Sequence, residues 1–318
     1  MNIVILERGS VGMDVSVDCF NELGNVTSYV NTKLEEIPKR VKDADIIIAN
    51  KSKLNEATLK DAKNVKLICE FATGYDNVDL EYCKSRGIGV CNVRNYSSEM
   101  VAQHTFALAL FLSEHLHHYD EFVKSGRYAE HTSFSFFDEP FNELAGKTWG
   151  IVGMGNIGKR VAKIAEAFGC KVIFYSVTGK SSVTEYERVD FDTLLKESDY
   201  LSLHCPLSDI TRDLIDADAL SKMKKTAILI NVARGPVVNE QALYDALVNE
   251  KIAGAGLDVL TKEPISKENP LGKIKDSGKL IITSHLAWAS VEARTRCVNY
   301  NYDNIKAFLE GKELNRLV

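Results

Sequence analysis

The sequence predicts an α/β protein with two doubly wound domains built on parallel sheets, and two observations support this fold class. Short apolar, β-branched runs alternate with amphipathic helical patterns along most of the chain. Strands that alternate with helices pair in parallel and are covered by helices on both faces. The length of 318 residues also fits about two domains, at roughly 150 residues for each.

The first series of strands and helices occupies the first third of the chain. Strands are predicted at residues 2–6, 26–30, 45–49, 65–71 and 89–93, with helical patterns at 15–23 and 55–62. One long helix, rich in Ala and Leu, is predicted over residues 97–126. An irregular aromatic segment, residues 128–141, follows it.

The second series begins at Lys147. Strands are predicted at residues 148–152, 171–176, 199–204, 227–231, 253–258 and 280–283, and helices at 157–168, 240–249 and 290–311. Gly169 stands where the end of a helix favours a left-handed residue.

Composition and charge narrow the class of protein. A hydrophobic fraction of 45% and a charged fraction of 26% are those of an ordinary globular chain. A net charge of -5 provides no broad basic surface for nucleic acid.

The seven cysteines are dispersed without a CxxC pair, which fits a reducing compartment. There is no secretory signal or long apolar segment. We therefore expect a cytoplasmic protein with a small-molecule partner.

A glycine-rich loop joins the first strand and helix of the second series. Gly153, Gly155 and Gly158 form G-x-G-x-x-G in the segment GMGNIG. Gly153 permits the tight turn, Gly155 lets the backbone approach a pyrophosphate, and Gly158 lets the helix pack closely on the strand. The helix N-terminus stabilises the phosphates. Strand, loop and helix together predict a Rossmann dinucleotide-binding domain.

The coenzyme preference depends on the end of the next predicted strand. An acid that binds the adenosine ribose is expected there, but the strand ends at Ser176. Without a carboxylate, a 2′-phosphate is not repelled, and Thr178, Lys180 and Ser181 could bind one. Alternatively, Ser176 bonds the ribose of NAD and Lys180 is simply solvated. We expect NAD, with NADP also possible.

Three further segments indicate chemistry rather than generic α/β packing. They are NVARG at residues 231–235, GLDV at 256–259 running into Glu263 and Pro264, and SHLAW at 284–288. Each follows a predicted strand of the second series, at the sheet edge where open α/β folds bind ligands.

Oxidation of a 2-hydroxy acid requires groups of these types. Arg234 supplies a planar fork for a carboxylate. His285 changes protonation state near neutral pH and can take the hydroxyl proton. Glu263, if bonded to the imidazole, would orient it and favour its protonated form. Taken singly, each residue also fits a surface ion pair, a turn or a structural histidine, but their joint placement favours catalysis.

At this point the chain resembles the D-isomer-specific 2-hydroxy acid dehydrogenase family over nearly its whole length. The resemblance rests on GMGNIG at residues 153–158, LHCPLSDITRDLI at 203–215, NVARGPVVNEQAL at 231–243, AGAGLDVLTKEP at 253–264 and SHLAWASVEAR at 284–294.

The resemblance implies a role for each matching residue. Arg234 would bind and polarise the substrate, His285 would be the acid/base and Glu263 its partner. The implied cofactor contacts are Asn156 and Ile157 at the pyrophosphate, Asp258 at the nicotinamide carboxamide, Cys205, Pro206 and Thr211 along the adenine-ribose side, and Val232 and Ala233. The backbone amides of Ala72, Thr73 and Gly74 would receive the substrate carboxylate.

The resemblance also implies the domain organisation. A Rossmann domain of residues 99–285 would be inserted into a flavodoxin-like substrate domain of residues 1–98 and 286–318. The reaction would occur in a cleft that closes to exclude water. Residues 97–126 and the aromatic segment resemble the region through which the family forms homodimers.

The resemblance further narrows the substrate. Glu263 in place of Gln argues against the formate dehydrogenase branch, and a chain ending at Val318 would lack the regulatory tail of many phosphoglycerate dehydrogenases. Trp288 after His285 resembles glycerate dehydrogenase and hydroxypyruvate reductase members, whereas D-lactate enzymes tend to carry Tyr there. Lys51 is a weaker pointer to the same members. Hydroxypyruvate or glyoxylate, paired with D-glycerate or glycolate, is thus expected.

Other functions remain open at this point. A nicotinamide-sensing binding protein, similar to the corepressors that share this fold, could keep the Arg, Glu and His set. A D-lactate-type enzyme is a second alternative. A methyltransferase would use the glycine loop but leave that set unexplained.

No metal site is expected from the sequence. His115, His117 and His118 do not share one helix face, and no carboxylate–Cys cluster near them completes a site. They are interpreted as histidines at a helix end. His104 is expected to be a hydrogen-bonded core or interface residue. Cys205 lacks an obvious base, so it is not assigned as a nucleophile.

Overall fold

The computed structural model describes residues 1–318. The chain forms two compact units. Unit 1 comprises Met1–Ser97 and Trp288–Val318, and unit 2 comprises Ser98–Ala287. Helices and strands are numbered below in chain order. No helix combines the length and apolar character that a membrane span requires.

Unit 1 is built on a five-stranded parallel sheet with the order β2-β1-β3-β4-β5. The strands are β1 (Asn2–Ile5), β2 (Asn25–Ser28), β3 (Ile46–Ala49), β4 (Leu67–Glu70) and β5 (Gly89–Cys91). The helices are α1 (Ile37–Val41), α2 (Glu56–Leu59), α3 (Leu80–Ser85) and the C-terminal α10 (Val291–Leu309). Every residue of β3 and β4 is buried, because both faces of the sheet are covered.

Unit 2 contains a seven-stranded parallel sheet with the order β12-β11-β10-β9-β6-β7-β8. The strands are β6 (Thr148–Val152), β7 (Lys171–Tyr175), β8 (Glu187–Arg188), β9 (Tyr200–Leu203), β10 (Ile228–Asn231), β11 (Gly254–Leu257) and β12 (Leu280–Ile282). The helices are α4 (Ser98–Ser113), α5 (Leu116–Lys124), α6 (Asn156–Ala167), α7 (Phe191–Glu197), α8 (Ala217–Lys222) and α9 (Glu240–Val248). Two apolar cores, one on each face, enclose this sheet.

The prediction of two doubly wound parallel-sheet domains is confirmed. In unit 1 the order matches the flavodoxin-like arrangement, and in unit 2 six neighbouring strands follow the Rossmann order. Each sheet has a point where the strand order reverses, between β1 and β3 in unit 1 and between β6 and β9 in unit 2. Ligands of open α/β sheets bind beyond the carboxyl ends of the strands at such points.

Two sequence-based helix predictions were wrong. The single helix over residues 97–126 is divided into α4 and α5 at His115, whose φ of 51° is left-handed. A left-handed residue cannot continue an α-helix, and the local sequence carries no Gly or Pro to signal it. The helical pattern at 15–23 contains only a short 3₁₀ helix, Asp18–Glu22. The strand β8 and helices α7 and α8 are too short for a clear periodicity.

Candidate functional site

The glycine loop lies at the carboxyl end of β6, as its motif predicts. Gly153 has a φ of 93°, and Gly158 packs so closely that an added Cβ would lie 2.2 Å from the carbonyl oxygen of Gly153. Gly155 precedes α6, and a Cβ there would meet nothing within 4 Å. Together with the exposed Asn156 and half-buried Ile157 at the start of α6, this open backbone fits an approaching pyrophosphate.

Ser176 directly follows β7 and is half-buried. Its carbonyl oxygen accepts a hydrogen bond from the Gly179 amide at 2.9 Å, and its hydroxyl accepts one from the Ser181 amide at 3.3 Å. Thr178 and Lys180 are exposed on the same turn. The turn therefore carries hydroxyl groups and a cation where a carboxylate was expected, as the sequence indicates.

The segment after β9 supplies one wall beside the glycine loop. Cys205 is buried, which raises the pKa of its thiol to about 11, so it is not a reactive thiolate near neutral pH. Pro206 is exposed, and the buried Thr211 donates its hydroxyl proton to the Pro206 carbonyl oxygen at 2.8 Å. Thr211 thus shapes the loop that Cys205 and Pro206 begin. Val232 and Ala233, after β10, are each 9% exposed.

His204, between β9 and Cys205, is a feature that sequence reasoning missed. Its carbonyl oxygen would lie 2.9 Å from a Cβ added to Gly153, so its backbone adjoins the glycine loop. Both ring nitrogens are buried without a hydrogen-bond partner. Burial lowers the pKa of His204 to about 3, because desolvation penalises the charged form. The ring is neutral near pH 7.

Arg234 follows β10 in a turn that its neighbours fix. Asn231 accepts from the Ala233 amide at 3.0 Å and donates its side-chain N–H to the Arg234 carbonyl oxygen at 2.9 Å. A Cβ on Gly235 would lie 1.9 Å from the Leu260 backbone, so only glycine permits this approach. The guanidinium donates to the Ala233 carbonyl oxygen and forms no ion pair within the chain. It is therefore available for an external carboxylate.

His285 and Glu263 are in direct contact. The Nδ1 atom of His285 lies 2.7 Å from Oε2 of Glu263, and the two side chains are 30% and 33% exposed. An ionised carboxylate only accepts, so Nδ1 carries the proton and Nε2 is left for exchange with a ligand. The second oxygen of Glu263 accepts from the Leu260 amide at 3.0 Å. The contact between Glu263 and the imidazole, which the sequence alone could not establish, is therefore present.

Asp258, at the end of β11, organises the turn that carries His285. Its carboxylate, 1% exposed, accepts from the backbone amides of Leu286 at 2.7 Å and Ala287 at 2.8 Å, and from the Thr283 hydroxyl. Its carbonyl oxygen accepts from the His285 amide at 2.9 Å. These bonds support the positive φ of 59° at His285, a conformation that is uncommon for residues other than glycine.

His104 belongs to this network. Its Nε2 atom lies 3.0 Å from the Thr283 hydroxyl and 3.5 Å from the Asp258 carboxylate. His104 was predicted to be a hydrogen-bonded core or interface residue, without a link to Asp258. A separation of 154 positions, with no motif joining the two, explains why the link was missed.

In unit 1, residues 72–74 form an open loop after β4. The Asn92 side chain donates to the Thr73 carbonyl oxygen at 2.7 Å, and the Val93 amide donates to that of Ala72 at 3.0 Å. The amides of Ala72, Thr73 and Gly74 donate to no acceptor of the chain. Free backbone amides held in a fixed loop can receive an anion.

Lys51 and Trp288, the two residues that favour a glycerate-type substrate, lie in unit 1. The exposed Lys51 follows β3, and its amide, like that of Asn50, donates to the Glu7 carboxylate after β1. Glu7 thereby joins the two strand ends at the switch point. Trp288 packs edge-on against Tyr96 with ring centroids 6.2 Å apart.

The three histidines predicted at the end of one helix lie instead where α5 begins, with His115 before it and His117 and His118 in its first turn. His118 has a carboxylate neighbour, since its Nε2 lies 3.2 Å from Asp138, and Glu139 is close enough for the three groups to fall within 4.8 Å of one another. The sequence predicts no carboxylate–Cys cluster that completes a metal site here; the aromatic segment brings Asp138 and Glu139 to His118, and no Cys belongs to the group. Both acids are exposed, and the contact joins α5 to the aromatic segment.

A dinucleotide loop at the switch point, with Arg234, Glu263 and His285 on neighbouring strand ends, is the combination that oxidation of a hydroxy acid requires. The class that unit 2 defines is therefore a nicotinamide-dependent oxidoreductase. The model of the D-isomer specific 2-hydroxyacid dehydrogenase NAD-binding domain matches residues 106–287, more than half of the chain.

Relatives match over the whole length. The chain is 40% identical to the glycerate dehydrogenase of Methylorubrum extorquens over 98% of both chains. It is 37% identical to the hydroxypyruvate reductase of Blautia hydrogenotrophica over 99% of both. A solved NADPH-dependent glyoxylate/hydroxypyruvate reductase from Sinorhizobium meliloti, in complex with NADP and malonate, superposes with a TM-score of 0.84 at 27% identity, covering 100% of this chain and 96% of that one.

These matches decide the family. The chain belongs to the D-isomer specific 2-hydroxyacid dehydrogenases and is an NAD(P)-dependent 2-hydroxyacid oxidoreductase.

Proposed function

We propose that this enzyme interconverts hydroxypyruvate or glyoxylate with D-glycerate or glycolate, using Arg234, Glu263 and His285. The observation that carries the proposal is the 2.7 Å contact between His285 and Glu263, in the same unit as Arg234. The names of the relatives, glycerate dehydrogenase and hydroxypyruvate reductase, support the choice of substrate.

The substrate carboxylate is proposed to bind the free amides of Ala72, Thr73 and Gly74 and the guanidinium of Arg234. Backbone amides aimed at one point stabilise an anion without a rearrangement. Arg234 offers several donors in one plane and stays charged at every working pH. It can therefore hold the carboxylate and polarise the neighbouring carbonyl. Trp288 is proposed to limit the size of the substrate side chain.

The proton is proposed to move through Nε2 of His285. In the reductive direction Nε2 donates a proton to the carbonyl oxygen, and in the oxidative direction it removes the hydroxyl proton. Glu263 accepts from Nδ1, fixes the tautomer and compensates the charge of the imidazolium. Asp258 and Thr283 hold the turn, so that the ring keeps its orientation.

The coenzyme is proposed to bind along the glycine loop, with Asn156 and Ile157 at its pyrophosphate. When bound, the nicotinamide donates or accepts the hydride. Ser176 is proposed to bond the adenosine ribose, and Cys205, Pro206, Thr211, Val232 and Ala233 to form the surrounding wall. Asp258 is proposed to contact the carboxamide in addition to supporting the turn. NAD is the proposed main coenzyme, with NADP accepted because Ser176 carries no charge.

A homodimer in the cytoplasm is the proposed working state. In the segment after α5, Phe134, Phe137 and Phe141 are 90%, 83% and 54% exposed. Large exposed apolar side chains close together in the chain are typical of an interface, which supports a second copy as the partner. All seven cysteines are free thiols, which suits a reducing compartment.

The experiment is a matrix of NADH and NADPH oxidation against hydroxypyruvate, glyoxylate, pyruvate and longer 2-keto acids, with chiral analysis of the product. The proposal predicts a kcat/KM for hydroxypyruvate or glyoxylate at least about tenfold above that for pyruvate, a difference of about 1.4 kcal/mol, and D-glycerate from hydroxypyruvate. Tight NADH binding without turnover on any 2-keto acid would instead support a nicotinamide sensor. Preference for pyruvate would support a D-lactate-type enzyme.

A further inference from the structure

Glu70 is a fully buried acid that the proposed mechanism does not use. It ends β4, immediately before the residue that leads into the 72–74 loop. Its Oε1 atom accepts from the Asn77 side-chain amide at 3.1 Å, and the same amide nitrogen donates to the Ser52 carbonyl oxygen at 2.9 Å. Glu70 and Asn77 therefore connect the loop after β4 with the loop after β3.

The backbone of Glu70 is also anchored. Its carbonyl oxygen accepts from the Asn301 side chain of α10 at 3.0 Å, and Asn301 is itself fully buried. The next amide, of Phe71, donates to the Ala49 carbonyl oxygen at 2.7 Å. Glu70 thus occupies a fixed position between the sheet and α10, and the hydrogen bond from Asn77 to its side chain also fixes Asn77.

The surroundings of Glu70 favour its neutral form. Burial raises the pKa of its carboxyl well above the usual range, and the Glu7 carboxylate raises it further, while the Asn77 bond and Lys51 oppose the shift. The second oxygen, Oε2, is buried without a partner. A neutral carboxylic acid tolerates such a position far better than a carboxylate does. A neutral group also adds no repulsion toward an anionic substrate.

The 72–74 loop is held from two sides. On the side of β5, Asn92 and Val93 bind the carbonyl oxygens of Thr73 and Ala72. On the side of β3, Asn77, which follows the loop, is held by its hydrogen bonds to the Glu70 side chain and to the Ser52 carbonyl oxygen. Fixing both ends restricts the loop that carries the three free amides, which lowers the entropic cost of binding a carboxylate.

We propose that Glu70 is a positioning residue that holds the 72–74 loop through its hydrogen bond with Asn77 and so sets the affinity for the substrate carboxylate. This inference rests on the proposed function, because the role of the loop amides belongs to it.

The test compares Glu70→Leu, Glu70→Gln and Asn77→Ala with wild type. Glu70→Leu and Asn77→Ala should raise KM for the 2-keto acid by about tenfold, the scale of one lost hydrogen bond, while kcat and the KM for coenzyme change less than about twofold. Glu70→Gln has the same shape and keeps an uncharged acceptor for Asn77, so it should restore the wild-type KM. The matched controls are Glu81→Leu and Glu81→Gln, at an exposed acid of α3.

A second measurement separates this inference from the proposed function. Amide hydrogen exchange over residues 71–78 needs no turnover, and it should be faster in Glu70→Leu and Asn77→Ala but not in Glu70→Gln. If Glu70→Leu does not fold, Asn77→Ala carries the test alone. Unchanged exchange and KM in Asn77→Ala would overturn the inference, as would a Glu70→Gln variant as impaired as Glu70→Leu. Absence of turnover in wild type, with the exchange pattern as predicted, would reject the proposed function alone.

Discussion

Nδ1 of His285 lies 2.7 Å from Oε2 of Glu263, and the imidazole is thereby oriented with Nε2 free. The two residues are 22 positions apart and follow different strands, β11 and β12. The adjacent ends of those strands bring them together. Because proton transfer through Nε2 depends on this contact, substitution of either residue should lower the catalytic rate.

Replacing Glu263 by Gln should lower kcat by about 10- to 1000-fold, with a smaller change in the KM for coenzyme. The amide keeps the size of the side chain but neither compensates the imidazolium charge nor enforces the tautomer. Steady-state kinetics measure the effect. Glu268→Gln, an exposed acid of the same loop, is the matched control and should behave as wild type. Equal activity of the two variants would remove Glu263 from the mechanism.

Replacing Asp258 by Asn should lower kcat and loosen the His285 turn. One amide oxygen cannot accept from Leu286, Ala287 and Thr283 together, and at least one buried donor loses its partner, at a cost of about 1–3 kcal/mol. Hydrogen exchange over residues 284–288 should accelerate. Thr283→Val removes only the hydroxyl and should give a milder loss. A larger loss of kcat in Thr283→Val than in Asp258→Asn would contradict the main role of Asp258 in holding the turn.

Introducing an acid at Ser176 should change the coenzyme preference. Ser176→Asp places a carboxylate at the end of β7, where it repels a 2′-phosphate and can bond a ribose hydroxyl. We expect kcat/KM for NADPH to fall by about tenfold or more relative to NADH. Ser221→Asp, at an exposed serine of α8, controls for added charge. An unchanged ratio would mean that the ribose lies elsewhere.

The neutral His204 should make unit 2 sensitive to acid. Its pKa is about 3 in the folded chain against 6.5 for the unperturbed group. Below pH 6.5 the unfolded state therefore binds a proton that the folded state does not, so stability falls as the pH decreases from 6.5 toward 3. His204→Gln should show less of this loss, and His117→Gln, at an exposed histidine, should match wild type. Urea unfolding at pH 7.5 and 5, followed by Trp149 fluorescence in a Trp288→Phe background, measures it. If His204→Gln loses as much unfolding free energy between pH 7.5 and 5 as wild type does, His204 is not the source of the acid sensitivity.

Local patterns were enough to predict much of this structure. The glycine loop is a contiguous motif whose spacing encodes the turn, and Arg234 and His285 lie in short segments at strand ends. Strand positions followed from buried apolar runs such as Ile46–Ala49. These features need no knowledge of distant residues.

Other features depend on contacts between distant residues and could not be predicted. Asp258 was assigned to the coenzyme, but its bonds to the His285 turn and its proximity to His104 appear only once the chain is folded. The break at His115 lacks a glycine or proline signal. The link from Glu70 through Asn77 to Ser52 spans two loops that the sheet brings together.

Exchange of the substrate proton at His285 can be tested by measuring turnover and coenzyme affinity in the same variant. His285→Asn, with His117→Asn as control, is assayed for turnover with hydroxypyruvate or glyoxylate and, by fluorescence titration, for NADH affinity. We expect kcat to fall by about 10²- to 10⁴-fold while the NADH affinity stays within about twofold of wild type. A His285→Asn variant that keeps wild-type turnover would contradict the role of His285 as the acid/base.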